Sequence, residues 1–372
     1  MNESSGADVL ISRFNHLTAR LDKLKGVVLR LSMKLPPNSH RAIAKSLGFN
    51  HERYPALDPH VQVLISVRKY MTANNEGPRP HPEVSRHNFR RDMAAIANPI
   101  PVAKVKDWEI PSRAGKLTVR HYTPILNDET QKNQEPLPLL VFFHGGSFIV
   151  GDVDTHDDPC RMLCQHGQMQ VLSVSYRLLP EHPSPAAIED CLDTLKWAHQ
   201  HAASLGADST KIGVGGDSAG GNLAAVISQL AAGTNYAPAA QLLIYPSLDL
   251  VNDYPSHVAY GQGLFLSQVD VEYAKELHLS RSLLPFTDPR VSPMFGNLTG
   301  LPSALIVTAA FDSLRDEAEM YAIKMREAGS HCVAYRVAGQ GHGFVSMATI
   351  NRAAFEATRR IARDFRVLLD GL

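Results

Sequence analysis

Neither sign of charge is in excess: Lys plus Arg and Asp plus Glu each number 37 in 372 residues, a formal net charge of zero at pH 7. Phosphate backbones and anionic lipid surfaces require a basic excess or cluster, so nucleic acid is excluded as a natural partner. Long hydrophobic runs are missing as well. No apolar stretch approaches the roughly 18–20 residues that cross a bilayer, and no membrane insertion is expected. The opening Met1-Asn-Glu-Ser-Ser-Gly-Ala-Asp8 has neither the basic nor the apolar region of an export signal, which points to a soluble, cytoplasmic protein. Cysteine is scarce. Cys160, Cys164, Cys191 and Cys332 lie in apolar segments instead of paired loops, the pattern of reduced core thiols. Cys160 and Cys164 share a helical face, but no second Cys or His pair stands at zinc-finger spacing, so no metal is expected.

What the chain does have is 44% hydrophobic residues, enough for a large core, and an alternation of two periodicities beyond about residue 100. Strand patterns fall at Lys116 to Pro124, Leu137 to Phe143, Gln170 to Tyr176, Lys211 to Gly215, Gln241 to Tyr245, Ala304 to Ala309 and His331 to Val337. Helical patterns at Pro185 to Leu205, Ala219 to Ala232, Asp316 to Ala328 and Arg352 to Leu369 separate several of them. This order predicts an α/β fold, a doubly wound and mostly parallel sheet with helices on both faces. Two stretches break the alternation: residues 1–95, read as helical, and about 249–290, rich in Tyr, Pro, His and Phe. Both are expected to form a cap on a catalytic domain spanning 96–372, since long connections at strand ends tend to be functional. In the first stretch Leu10, Phe14, Leu17, Leu21, Leu24, Val28 and Leu31 make a heptad seam. Such a seam serves either a cap helix packed on its neighbour or a homodimer.

The chemistry concentrates in Lys211-Ile-Gly-Val-Gly-Gly216-Asp217-Ser218-Ala219-Gly220-Gly221, which ends a short apolar strand and opens an Ala-rich helix. A serine on so sharp a turn needs small residues two before and two after it, here Gly216 and Gly220, and its hydroxyl then stands above the sheet as a nucleophile. The same glycines also satisfy Gly-x-Gly-x-x-Ala, a dinucleotide-binding pattern, but that motif wants an acid about twenty residues on. The chain near residue 240 offers none, and no cofactor is expected. Upstream, the strand ending at Phe143 runs into His144-Gly145-Gly146-Ser147-Phe148. Small residues there let backbone N–H groups approach a substrate oxygen, so Gly145 and Gly146 are the expected oxyanion donors, joined by Ala219.

Downstream, Asp312 sits at the carboxyl end of the strand pattern from Ala304, where sites of open α/β sheets gather. Asp316 and Glu317 are the alternatives, each explicable as a first-turn acid of the next helix. His342, between Gly341 and Gly343 past the last strand, is the best placed of 17 histidines to act as a base. His199, His201 and His278 read as solvated or satisfied. The order Ser218, Asp312, His342 is that of α/β-hydrolase triads and differs from those of chymotrypsin and subtilisin.

With these segments, and with Gly151-Asp-Val-Asp-Thr-His-Asp157 and Tyr176-Arg-Leu-Leu-Pro-Glu-His-Pro-Ser-Pro-Ala186, residues 100–370 resemble the hormone-sensitive-lipase-like family of α/β-hydrolases, the bacterial family IV esterases. The resemblance implies a cofactor-independent carboxylesterase acting on small-molecule esters of short to medium acyl chains, with a helical cap. Amide hydrolysis by the same residues is the alternative activity. Ser147 stands where most members carry a third glycine. A similar His-Gly-Gly-Ser occurs in plant carboxylesterase relatives and in the gibberellin receptors, which bind a ligand without hydrolysing it and have lost the triad histidine, whereas His342 is present here.

Overall fold

The computed structural model describes residues 27–32, 34–72, 80–126, 135–282 and 284–371. The strands are β1 (Lys104–Ser112), β2 (Gly115–Thr123), β3 (Leu137–Phe143), β4 (Gln170–Val174), β5 (Ala207–Asp217), β6 (Ala240–Ile244), β7 (Ser303–Phe311) and β8 (Cys332–Gly341). They form one sheet in the order β1-β2-β4-β3-β5-β6-β7-β8. β1 pairs antiparallel with β2, and β2 antiparallel with β4; from β4 onward all pairings are parallel. This is the mostly parallel arrangement expected from the alternation.

The helices that flank the sheet are α4 (Asp157–Gly167), α5 (Ala186–Leu205), α6 (Ala219–Ala231), α9 (Arg315–Glu327) and α10 (Arg352–Asp370). Every residue of β3, β4 and β6 is buried, which explains why these strands read as continuous apolar runs. Successive side chains then serve opposite cores. Leu139, Val141 and Phe143 of β3 pack with Leu195 of α5, Leu223 of α6 and Tyr321 of α9. Leu140 and Phe142 pack with Leu163 of α4 and with Ile361 and Phe365 of α10. All four cysteines are free and buried in these layers.

Two features were not legible as strands or helices. β1 is an edge strand with one residue in nine fully buried, so its sequence, Lys-Val-Lys-Asp-Trp-Glu-Ile-Pro-Ser, carries no apolar face. The stretch after β6 contains α7 (Pro255–Tyr260) and α8 (Gln268–Arg281); Ser267 caps the second by accepting the Asp270 N–H. Ahead of the sheet lie α1 (Pro37–Ser46), α2 (Pro59–Thr72) and α3 (Pro82–Ile96). Tyr54, Leu57, Val61 and Ile65 pack against Tyr260, Leu264 and Phe265, and Tyr54 donates to the carbonyls of Ala259 and Gln262. The heptad positions Leu10, Phe14, Leu17, Leu21 and Leu24 lie outside the described residues, while Val28 and Leu31 are exposed.

Helix α10 is held by an intimate contact. A Cβ on Gly213 of β5 would lie 2.8 Å from Cζ of Phe365, and Phe365 itself is fully buried. Replacing Phe365 by Ala should therefore cost about 3–5 kcal/mol. Urea unfolding checks this: the midpoint should fall with little change in the slope, and an unmoved midpoint would contradict the packing described.

Candidate active site

β5 and α6 meet at Ser218 with no intervening residue. Its φ of 56° and ψ of −118° are costly for a non-glycine residue, and the turn is pinned by the Ser218 N–H donating to the Ile244 carbonyl at 2.9 Å. The flanking glycines are forced by space. A Cβ on Gly216 would lie 2.4 Å from the carbonyl oxygens of both Gly220 and Phe143, and one on Gly220 would lie 1.9 Å from that of Phe143.

His342 follows β8, and Asp312 follows β7. The two loops bring the imidazole between the other groups, with Nε2 2.8 Å from Ser218 Oγ and Nδ1 2.8 Å from Asp312 Oδ2. Asp312 is 1% exposed, and its Oδ1 accepts the Leu314 N–H at 3.0 Å. The rival acids are engaged elsewhere. Asp316 pairs with Arg315 and accepts the Ser256 N–H; Glu317 accepts the Leu248 N–H at 2.6 Å and faces His257 at 3.3 Å. Burial disfavours the His342 imidazolium, but the Asp312 charge and hydrogen bond, with Asp217 and Glu317 adding to them, outweigh it. The ring is thus raised above the ordinary histidine value.

Of the expected oxyanion donors, Gly145 is corrected. Its N–H donates to Asp217 Oδ1 at 2.8 Å, and a Cβ there would collide with the same carboxylate at 2.6 Å, so Gly145 is small to admit Asp217 and its N–H is committed. Among the described residues no hydrogen bond takes the N–H of Gly146, Ser147 or Ala219. Gly146, Ser147 and Phe148 have φ of 122°, 56° and 63°, which explains why glycine is usual at the third position. Ser147 meets the same backbone demand at a steric cost.

Asp217 appeared in the sequence only as part of a motif, yet it organises the floor of the site. It is 4% exposed and also accepts the Tyr245 hydroxyl at 3.2 Å and faces His156 Nε2 at 3.4 Å. Burial pushes its carboxyl up, but His156 and the Gly145 N–H outweigh burial and hold it below the usual carboxylate value. The legible signal was an acid inside an otherwise apolar strand end, which demands buried partners. Beside it His144 stacks on Tyr176 with ring centroids 4.2 Å apart. Burial and the neighbouring His156 depress its pKa to about 4, so it is neutral near pH 7 and serves the wall of the site, not proton transfer.

A cavity of about 80 Å³ opens beside Ser218, bounded by Ser147, Phe148, Leu179, Ile188, Leu223, Leu266 and Val271 among others. His278, read as a satisfied residue, does contact the Leu284 carbonyl at 3.4 Å but also lines this cavity. His201 Nδ1 contacts the Trp197 carbonyl. Among the described residues no cluster of three His, Cys, Asp or Glu side chains is arranged for a metal ion, and no helix is long and apolar enough to cross a membrane.

A hydroxyl, imidazole and carboxylate aligned at the carboxyl rim of such a sheet define the class of α/β-hydrolases. The comparisons agree: a family described as alpha/beta hydrolase fold matches residues 140–346. The chain is similar to the carboxylic ester hydrolase LipN of Mycobacterium tuberculosis, 38% identical over 365 residues and covering 95% of both chains. It is 37% identical to the carboxylesterase NlhH of the same organism, over 82% of this chain and 94% of that one. A hyperthermophilic esterase of Pyrobaculum calidifontis shares 35% identity at a TM-score of 0.75, over 82% and 97%. The chain belongs to the hormone-sensitive-lipase-like family of the α/β-hydrolase superfamily, and it is a carboxylic ester hydrolase.

The packing at the turn makes a sharp prediction. Gly220→Ala must displace the end of β3 or the start of α6, so ester hydrolysis should fall at least about a hundredfold, as expected for misplacement of reacting groups by about 1 Å. Near-normal turnover of a p-nitrophenyl ester by that variant would contradict the contact.

Proposed function

We propose that Ser218 is the nucleophile of this esterase, with His342 as its general base and Asp312 as the acid that orients the base. The observation that carries the proposal is the pair of 2.8 Å contacts on opposite sides of the His342 ring. With its proton on Nδ1, the neutral ring donates to Asp312 and accepts the serine hydroxyl. As Oγ attacks the ester carbonyl, the proton passes to Nε2, and the buried Asp312 charge stabilises the imidazolium. The tetrahedral oxyanion is held by the N–H groups of Gly146, Ser147 and Ala219. Collapse expels the alcohol, protonated from His342, and leaves an acyl-serine. Water, activated by the same ring, hydrolyses it.

The substrate reading follows from the cavity. The cavity is small, about 80 Å³, and its walls are mainly apolar, which favours short to medium acyl groups over long ones. We assign the N-terminal helices and the 249–290 stretch to a cap over this cavity, because Leu266, Val271 and His278 of that stretch line it and Tyr54 and Arg68 bond its backbone.

A series of p-nitrophenyl esters from acetyl to palmitoyl, run on wild type and Ser218→Ala, tests both statements. Wild type should favour the short members, and the variant should lose about six orders of magnitude in kcat. Retained turnover in the variant removes Ser218 as nucleophile, and a preference for palmitate removes the acyl-length reading. The pH profile supplies a separate check. The base must be neutral to act, so the acidic limb of kcat/KM should lie above the ordinary histidine value. Asp217→Asn keeps an acceptor for the Gly145 N–H and deletes a charge that raises the His342 pKa, so the limb should move to lower pH. A limb that stays or rises contradicts this electrostatic account.

A further inference from the structure

One wall of the cavity beside Ser218 comes from α8, where Val271, Ala274, Lys275 and His278 face inward. Their spacing of three, one and three residues is one face of a helix, so the Lys275 stem starts from the side turned to the reacting centre. Among the described residues no Asp or Glu lines this cavity, whereas Arg177, Lys275 and Arg290 do. Two of these cations are neutralised: Arg177 forks onto the fully buried Asp190, and Arg290 onto Asp288. Lys275 is half-buried and has no carboxylate partner among the described residues. Its Nζ lies 5.9 Å from the Phe286 ring centroid, at the outer limit of a cation–π contact, and its charge also acts on His257. A half-buried lysine without a carboxylate partner beside an apolar cavity, in a chain with no net positive charge, favours an anion delivered with the substrate.

We propose that Lys275 is a specificity-determining residue that recognises a carboxylate carried by the ester, so that the preferred substrates are short esters with a free acid group. This rests on the esterase reading above and adds the charge of the substrate to it. The carboxylate can belong to the acyl part, as in a half-ester of a short dicarboxylic acid, or to the alcohol part. The recognition is the same, an ammonium donating to a carboxylate, and the hydrolytic step is unchanged.

Two substrate pairs separate the sources. Mono-p-nitrophenyl succinate against p-nitrophenyl butyrate places the charge on the acyl side; 4-acetoxybenzoate against 4-acetoxybenzamide places it on the leaving group. The quantity read is the ratio of kcat/KM for the anionic over the neutral member, in wild type, Lys275→Met and Lys275→Arg. In at least one pair the ratio should fall about tenfold in Lys275→Met, the loss expected for one charge-assisted hydrogen bond, and recover in Lys275→Arg. It should also fall in wild type as ionic strength rises from about 0.01 to 1 M. A ratio unchanged by Lys275→Met in both pairs overturns the proposal, as does one that falls equally in Lys275→Arg. If wild type fails to hydrolyse even the neutral members, the esterase reading itself is wrong, and that outcome is distinct from a missing charge preference.

Discussion

The site depends on how closely two backbones approach. β3 ends at Phe143 against the turn between β5 and α6, and only hydrogen atoms fit between them: the carbonyl oxygen of Phe143 occupies the space that side chains on Gly216 and Gly220 would need. That approach lifts Ser218 into a left-handed conformation at the rim of the sheet and sets the His144–Phe148 loop beside it. The cost of the strained residue, of order 1–3 kcal/mol, is borne by the buried sheet, whose central strands β3 and β6 have no exposed residue.

Close approach leaves buried polar groups to be satisfied, and three carboxylates do this around one imidazole. Asp217 ties the Gly145 N–H, Tyr245 and His156 together. Asp312 holds His342 and the Leu314 N–H. Glu317 secures the backbone at Leu248. Burial and these partners pull in opposite directions: Asp217 is held below the usual carboxylate range, while burial pushes Glu317 up. Their summed negative potential is what raises His342. The same acids that satisfy the buried backbone therefore raise the His342 ring, a coupling expected when a site sits in a low-dielectric floor.

Much of this was readable from the chain because the decisive demands are local. β3 announces itself as Leu-Pro-Leu-Leu-Val-Phe-Phe, since a strand covered on both faces must be apolar throughout. Gly216 and Gly220 announce the turn, and the sequential order of Ser218, Asp312 and His342 follows the sheet. What was not readable needs the third dimension. Gly145 and Ser147 cannot be ranked as oxyanion donors until Asp217, seventy-two positions from Gly145, is seen to take the Gly145 N–H. β1 and α8 escaped because an edge strand and a helix over a cavity present mixed faces, without the periodicity that a single buried side imposes.

The His144–Phe148 loop shows how the N-terminal helices bear on the site although none of their described residues lines its cavity. Gly146, Ser147 and Phe148 all adopt positive φ, and the two side-chain-bearing residues each carry a cost of about 1–2 kcal/mol. Four ties offset that cost. The N–H groups of Ile149 and Val150 both donate to the Gly146 carbonyl, and that of Leu179 donates to Phe148. The fourth comes from α3, where Arg86 donates to the carbonyls of Ile149 and Leu179 while pairing with Glu181. Each neutral bond contributes about 0.5–1.5 kcal/mol and a charged donor somewhat more, so the four ties together match the strain, and removing the arginine tie narrows the margin. A helix that precedes the whole sheet in sequence thus fixes the shape of a loop that lines the cavity beside Ser218.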